Sequence, residues 1–557
     1  MLKNKNRFET TASRKPLFHQ INQTNRLTNL PKHYHPVNHR VILYVKRAII
    51  TVMAKSIKSI MDYSGTEAAV INVECHITNG LPAVIIIGHA SKTVDEAKER
   101  LRASFSNSSL VLPKKRITIN LSPADIPKDS TSLDLAMAVA VLNQSQQVKL
   151  DPARSPIFLG ELSLDGTLNP VRGLVGRLLE AKKQGFNLFY IPQDNLDQAL
   201  LIPGIEIKAA TNLKEVYLDL SGSLPLKTIK SGRGKIPAVN PEEDFIDFAE
   251  ISGQPIAKRA LQIAAAGHHN ILLHGPPGTG KTMLAKAMRG ILPNLDYEEI
   301  LEVTQLYSLN SGSFNQIIVN RPFRSPHHTA STVALVGGGT SPKPGEATLA
   351  HKGILFLDEL PEFTHSALEA LRQPLEDGYV SIARVKDTIT YPAKFILVAT
   401  QNPCPCGYYG TNKPCKCSAA AIARYQKKVS GPILDRIDLH LAVHDVDHKR
   451  LLDKTKRPGE TEKIKTEVAA AYEIQRQRFG KLKFNSAMSN KEVRELGLLA
   501  DEAKNFLDNA AVKLDISARS YVRSVKLART IADLDAQPQI EIKHITEALQ
   551  YRYQPGY

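Results

Sequence analysis

Between residues 67 and 122 the chain alternates apolar and polar positions. EAAVINVECHITNG, AVIIIG and KRITINLS place β-branched residues at every second position or in short apolar runs, and predict strands. SKTVDEAKERLRASFSNS changes period and predicts a helix capped by Ser91. SLDLAMAVAVLNQS is apolar almost throughout, as a buried helix is. IFLGELSLDGTLNPV predicts a hairpin turning at Asp165 and Gly166. GLVGRLLEAKKQG predicts a helix ended by Gly185, and LFYIP a strand. Together these elements predict a compact α+β domain over 53–222. SGSLPLKTIKSGRGKIPAVNPEED, rich in Gly, Pro, Ser and Lys, marks a linker over 223–244.

From Phe245 the order becomes helix, strand, glycine-rich turn, helix. Later strands follow at GILFLDE and AKFILVATQ. That order predicts a parallel α/β core over 245–447. From 448 to 557 helical periodicity runs on without a strand pattern, which predicts a separate helical domain.

A length of 557 residues agrees with several cores rather than one. No apolar run approaches the ~18 residues of a membrane span; the apolar stretch VILYVKRAIITVMA is broken by Lys46 and Arg47. With no signal-peptide pattern, a soluble cytoplasmic protein is expected, without a membrane partner. The formal net charge is +17, yet residues 1–52 carry ten Lys or Arg against the single acid Glu9, a net of +9. The remainder is only mildly basic, which permits nucleic-acid binding without requiring it. The basic extension reads first as a solvated, disordered tail. A transit peptide, or a true start at Met53, are the other readings.

The chemistry concentrates in the core. The loop Gly275, Pro276, Pro277, Gly278, Thr279, Gly280, Lys281, Thr282 fits G-x-x-x-x-G-K-[ST], with an apolar strand before it and a helix after it. Backbone N–H groups at a helix N-terminus suit phosphates. Lys281 then neutralises the β- and γ-phosphates of ATP, and Thr282 holds Mg²⁺. ILFLDEL ends a strand on Asp358 and Glu359, one acid for the Mg²⁺ shell and one to polarise an attacking water. A further strand ends at Asn402, an amide suited to the water or the γ-phosphate.

This set resembles an AAA+ ATPase. SGPILDRIDLH supplies Arg436, which looks like the arginine finger of the magnesium-chelatase/MCM branch. ISARSYVRSVKLARTIADL supplies Arg519, which looks like the second sensor, coupling the helical lid to the γ-phosphate. EISGQPIAKRALQIAAAGHHN resembles the helix beside the adenine, with Gln254 near the base. For either arginine alone, a surface salt bridge is the plain alternative. RPFRSPHHTASTVALVGGGTSPKPGEATLAHKGILFLDELPEF and NPCPCGYYGTNKPCKC resemble the ComM/YifB family of magnesium-chelatase-like ATPases over essentially 53–557. The resemblance implies a ring, usually hexameric, that drives branch migration of DNA in natural transformation, with single-stranded or branched DNA as partner.

Two insertions would meet that DNA. The loop from Gly337–Gly339 through TSPKPGE carries Lys343, and the hairpin DGYVSIARVKDTITYPA carries Arg384 and Lys386 near its tip. Cations on a pore hairpin grip phosphates without reading bases. Arg321, Arg324, His327 and His328 either organise a subunit interface or simply pack. Cys404, Cys406, Cys415 and Cys417 form C-x-C, eight residues, C-x-C, on a loop that also holds Lys413 and Lys416. Four thiolates suit tetrahedral zinc; free thiols or a disulfide are the alternatives.

PKDSTSLDLAMAVAVL resembles the active-site segment of Lon-type proteases, with Ser132 at the nucleophile position. The partner lysine is missing: Val175 and Arg177 occupy its expected place, and Lys182 and Lys183 come two turns late. A guanidinium cannot deprotonate a serine. The resemblance therefore implies a Lon-like, ribosomal-protein-type α+β fold without peptidase activity, Ser132 packing or capping a helix. Two rivals to the DNA motor stand. One is a chelatase-type ATPase that remodels a protein partner; the other is a Lon-like ATP-dependent peptidase.

Overall fold

A computed structural model of the chain describes residues 56–64, 67–151, 154–232, 246–310, 315–339, 343–383, 388–445 and 459–552. The basic extension 1–52 and the hairpin tip with Arg384 and Lys386 lie outside the described residues.

The first sheet has eight strands. Their spatial order is Ile229–Lys230, Glu206–Ala210, Leu188–Pro192, Ile157–Phe158, Ile57–Ser64, Glu67–Thr78, Arg116–Ser122, Ala83–Ile87. At its centre Ile57–Ser64 runs antiparallel to Glu67–Thr78, with Ile60 opposite Val70. Helix Asp134–Gln144 packs beneath it, buried from Asp134 through Leu142, as its unbroken apolar run requires. The helical stretch after Ser91 is two helices, Lys92–Asp95 and Ala97–Asn107; the Ser91 side chain accepts from the Val94 N–H and caps the first. The sheet extends past residue 222. Ile229–Lys230, inside the stretch read as linker, pairs with Ile207 and Glu206, and the Ile205 N–H donates to Ser231 Oγ at 3.0 Å.

The second sheet has five strands, all parallel, in the order Phe323–Arg324, Ile354–Leu357, Ile396–Gln401, Ile271–His274, Leu439–Ala442. Ile354–Leu357 and Ile396–Gln401 are buried at every position, as parallel strands covered on both faces must be. Helices Pro255–Gly267 and Lys281–Ile291 share one buried cluster with the strand residues Ile271 and Leu273. The same cluster takes in Val468, Ala528 and Ile531 from helices Glu460–Phe479 and Ala518–Leu534. The helical domain is thus packed directly on the core. His268 stacks on Phe484 with ring centroids 3.7 Å apart, and His269 bridges Asp438 at 3.1 Å and Thr530 at 2.8 Å.

The N-terminal domain is docked on helix Tyr297–Ser308. The Gly173 N–H donates to Ser308 O at 3.0 Å, and a Cβ on Gly176 would lie 2.7 Å from Gln305 Nε2. Asn195 Nδ2 reaches Asn315 Oδ1 at 3.3 Å, and the Tyr297 hydroxyl donates to Leu201 O.

One half-buried ring on the parallel sheet should make this fold acid-sensitive. Burial pushes His440, on the last strand of the parallel sheet, down to about 4. The unfolded chain takes a proton on this ring below its ordinary 6.5, whereas the folded chain refuses it until about 4. Stability therefore falls as pH drops through that window, by on the order of 3 kcal/mol for this group. Thermal unfolding from pH 7 to 4 should show the decline, and His440→Asn should remove part of it.

Candidate active site

Parallel strands bring all their C-terminal ends to one edge, and this edge collects the candidate chemistry. Ile271–His274 leads into loop 275–282. Gly278 and Gly280 have φ of +84° and +83°, and a Cβ on either would meet nothing within 4 Å. Both border open space at the start of helix Lys281–Ile291, a cradle that fits a phosphate. Lys281 Nζ donates to Gly275 O at 2.8 Å, Pro276 O at 2.7 Å and Asn402 Oδ1 at 3.2 Å. Burial lowers the Lys281 ammonium below its ordinary value, while Asp358 and Glu359 oppose that shift.

Strand Ile354–Leu357 delivers the two acids. Asp358 accepts from Thr282 Oγ1 at 3.2 Å and from Thr400 Oγ1 at 2.5 Å. Thr282 and Asp358 therefore form one oxygen-rich corner, the donor set that Mg²⁺ prefers. Glu359 is exposed and adopts φ 54°, ψ 54°, a left-handed conformation that costs a non-glycine residue roughly 1–2 kcal/mol. Its N–H donates to Thr400 Oγ1 at 2.9 Å, which secures the turn and leaves the acid at the open edge. Thr400 was not singled out in the sequence, where a threonine within a strand is unremarkable. Gln254 caps helix Pro255–Gly267 and donates to His444 O at 2.6 Å, so it ties that helix to the chain leaving the last strand.

The arginines lie at the other edge. Arg436 precedes strand Leu439–Ala442, and its backbone O accepts from Asn270 Nδ2 at 2.8 Å. Asn270 itself precedes the phosphate-loop strand and bonds Leu397 N–H, so all three mark the N-terminal edge of the sheet. Four strand residues, roughly 13 Å, separate this edge from Lys281. The Arg436 guanidinium pairs with Glu376 and donates to Pro432 O at 2.7 Å. Arg519 Nη1 lies 3.7 Å from Asp435 Oδ2, on a side chain 57% exposed. It stands with Arg436 and not with Lys281. Arg436, Arg519, Arg523, Lys394 and Lys526 line one cavity of about 750 Å³.

The four cysteines converge. Cys404 Sγ lies 3.4 Å from Cys406 Sγ and 3.7 Å from Cys415 Sγ, and Cys406 lies 3.6 Å from Cys415. All four sulfur atoms fall within 4.8 Å of one another. The backbone N–H groups of Tyr408 and Lys416 hold the Cys406 thiol down at about 6.

The sequence of this chain matches known proteins. Residues 247–451 match the family model described as magnesium chelatase, subunit ChlI. Residues 73–195 match subunit ChlI of Mg-chelatase, and 459–552 its C-terminal region. The chain is 42% identical over 490 residues to YifB of Escherichia coli (strain K12), covering 88% of this chain and 95% of that protein. It is 42% identical over 495 residues to competence protein ComM of Haemophilus influenzae, covering 88% and 95%. The chain belongs to the ComM/YifB family of magnesium-chelatase-like proteins.

A shorter likeness, 31% identity over 132 residues, joins this ComM/YifB-family chain to the Lon protease of Acinetobacter baumannii. The geometry around Ser132 lacks a base. Ser132 is buried, its Oγ accepts from Arg177 Nη1 at 2.6 Å, and it meets Ser130 Oγ at 2.7 Å. Arg177 also pairs with Asp62 at 2.8 Å. Lys182 donates instead to Pro203 O, and Lys183 pairs with Glu180. Ser130, not Ser132, caps the following turn. Ser132→Ala should leave ATP turnover at the wild-type rate and reveal no casein degradation to lose. Arg177→Ala should lower stability by about 3 kcal/mol, because it breaks a mostly buried pair.

The remaining candidates divide. Arg321 is buried and donates to Glu299 at 3.0 Å and Lys352 O at 2.8 Å, and Arg324 holds Glu346 through two bonds of 2.6 and 2.7 Å. Both arginines brace the fold of this family member. His327 and His328 sit ring against ring at 4.1 Å near the surface. Lys343 is exposed on the short hairpin Gly337–Gly338 with Lys343–Pro344. Among the described residues no helix is long and apolar enough to cross a membrane.

Proposed function

We propose that this chain is the ATP-hydrolysing subunit of a hexameric, cytoplasmic ring that moves single-stranded or branched DNA and promotes branch migration. One observation supports the reading: Lys281 with its glycine-rich turn and Arg436 with Arg519 occupy opposite edges of the same sheet. No chain can bring its own Arg436 to its own Lys281. A neighbouring copy can, and repetition of that contact closes a ring. Likeness to a protein named for competence supports DNA as the substrate moved.

At each junction the 275–280 turn and Lys281 hold the triphosphate. Thr282 and Asp358 would hold Mg²⁺, which would supply positive charge against the triphosphate. Glu359 orients and polarises the water, and Asn402 fixes it against the γ-phosphate. Arg436 of the neighbour stabilises charge as the bond to the γ-phosphorus breaks, and Arg519 joins it from the same face. Lys343, exposed on its short hairpin, would meet DNA phosphates, and the sequence offers Arg384 and Lys386 for the same role. The four cysteines would hold a structural zinc ion.

The test is a branch-migration assay on three- and four-stranded junctions, with Glu359→Gln as control. Wild type should resolve the junction only with hydrolysable ATP. An assembled, ATP-hydrolysing wild type that leaves the junction untouched overturns the motor. ATP turnover that DNA does not stimulate points instead to chelatase-type remodelling of a protein.

A further inference from the structure

Cys404 stands two residues beyond Asn402, whose amide oxygen accepts from Lys281. The loop that starts there runs to Cys417 and delivers Ser418, the cap of helix Ala419–Gln426. From 405 to 418 its only buried residue is Gly407. No apolar side chain holds this loop together, so its shape needs a cross-link.

The sulfur geometry says which one. Four thiolates about 2.3 Å from a tetrahedral zinc lie roughly 3.8 Å from one another. The separations of 3.4, 3.6 and 3.7 Å among Cys404, Cys406 and Cys415 fit three corners of that tetrahedron, and Cys417 Sγ lies within 4.8 Å of each of them. A disulfide would bring two sulfurs to about 2.05 Å. Cys404 Sγ also accepts from the Tyr409 backbone N–H at 3.3 Å. Such a donor spreads the negative charge that four thiolates place on one metal.

The loop bears on the nucleotide edge at one point. Gly407 has φ +83°, and a Cβ there would lie 2.5 Å from Pro277 Cδ and 3.0 Å from its Cγ. Only a glycine lets the cysteine loop lie flat on the phosphate loop. The Gly407 N–H returns to Cys404 O at 2.9 Å, so the contact is fixed within the metal-binding turn itself.

We propose that zinc bound by Cys404, Cys406, Cys415 and Cys417 seats the phosphate loop, pressing Gly407 onto Pro277 and holding Asn402 against Lys281. Zinc displaces the protons of whichever thiols still carry them and takes no part in hydrolysis. The proposal rests on ATP binding at this edge and is independent of DNA.

Metal analysis of the purified full-length chain should find one zinc per chain. Cys406→Ser combined with Cys415→Ser should lose it and weaken binding of a fluorescent ADP analogue about tenfold, with the circular-dichroism spectrum retained. Gly407→Ala should keep the zinc yet weaken the nucleotide similarly, by lifting the loop off Pro277. Lys281→Ala should lose nucleotide and keep zinc. Protein produced under zinc-replete conditions that still carries no zinc overturns the metal site. Unchanged nucleotide affinity in the zinc-free variant overturns the coupling. If that variant does not fold, unchanged affinity in Gly407→Ala decides against it. Wild type that holds zinc but binds no nucleotide defeats the ATPase reading instead.

Discussion

Replacing Glu359 with glutamine is expected to slow ATP turnover by about 10²–10⁴-fold, the range for losing a positioned general base. Nucleotide affinity should stay within a few-fold of wild type. The two effects separate because the Glu359 side chain is exposed at the open edge, whereas the binding contacts belong to Lys281, Thr282 and Asp358. Its left-handed backbone is kept by the bond to Thr400, and glutamine leaves that bond intact. Phosphate release and a nucleotide titration measure the two quantities side by side. Turnover near the wild-type rate would remove Glu359 from the mechanism.

Arg436→Ala carries the second large effect. An arginine finger supplied by a neighbour accelerates phosphoryl transfer by about 10³–10⁵-fold, and the loss should be of that order. Binding of nucleotide to each chain should be preserved, since Arg436 sits across the sheet from Lys281. Mixing sharpens the test. Arg436→Ala and Lys281→Ala should each be inactive alone. In the proposed ring, mixing the two variants would create junctions with an intact lysine on one chain and an intact arginine on the next, so turnover should reappear. If Arg436→Ala alone hydrolyses ATP at full speed, its pair with Glu376 is an ordinary surface ion pair.

The phosphate loop was legible because its chemistry demands contiguous residues, and the strands around it because burial on two faces demands apolar runs. The side on which Arg519 stands was not legible. Helix Ala518–Leu534 shows periodicity, but its placement follows from contacts far apart in sequence, such as His269 with Thr530 and His268 with Phe484. Ile229–Lys230 hid in a Gly- and Ser-rich stretch because two residues pair through backbone alone. The cysteines were legible as a cluster. Their contact with the phosphate loop depends on Gly407, whose meaning lies in what a side chain would strike. Thr400 gave no signal, since it acts through a hydroxyl whose direction only the folded strand sets.

The seam between Leu174–Lys183 and Tyr297–Ser308 has its own consequence. Gly173 bonds Ser308, Gly176 meets Gln305, and Tyr297 reaches back to Leu201. If the chain were cut between the two domains, these contacts would still leave the fragments travelling as one particle. For this protein, cleavage and separation are different events.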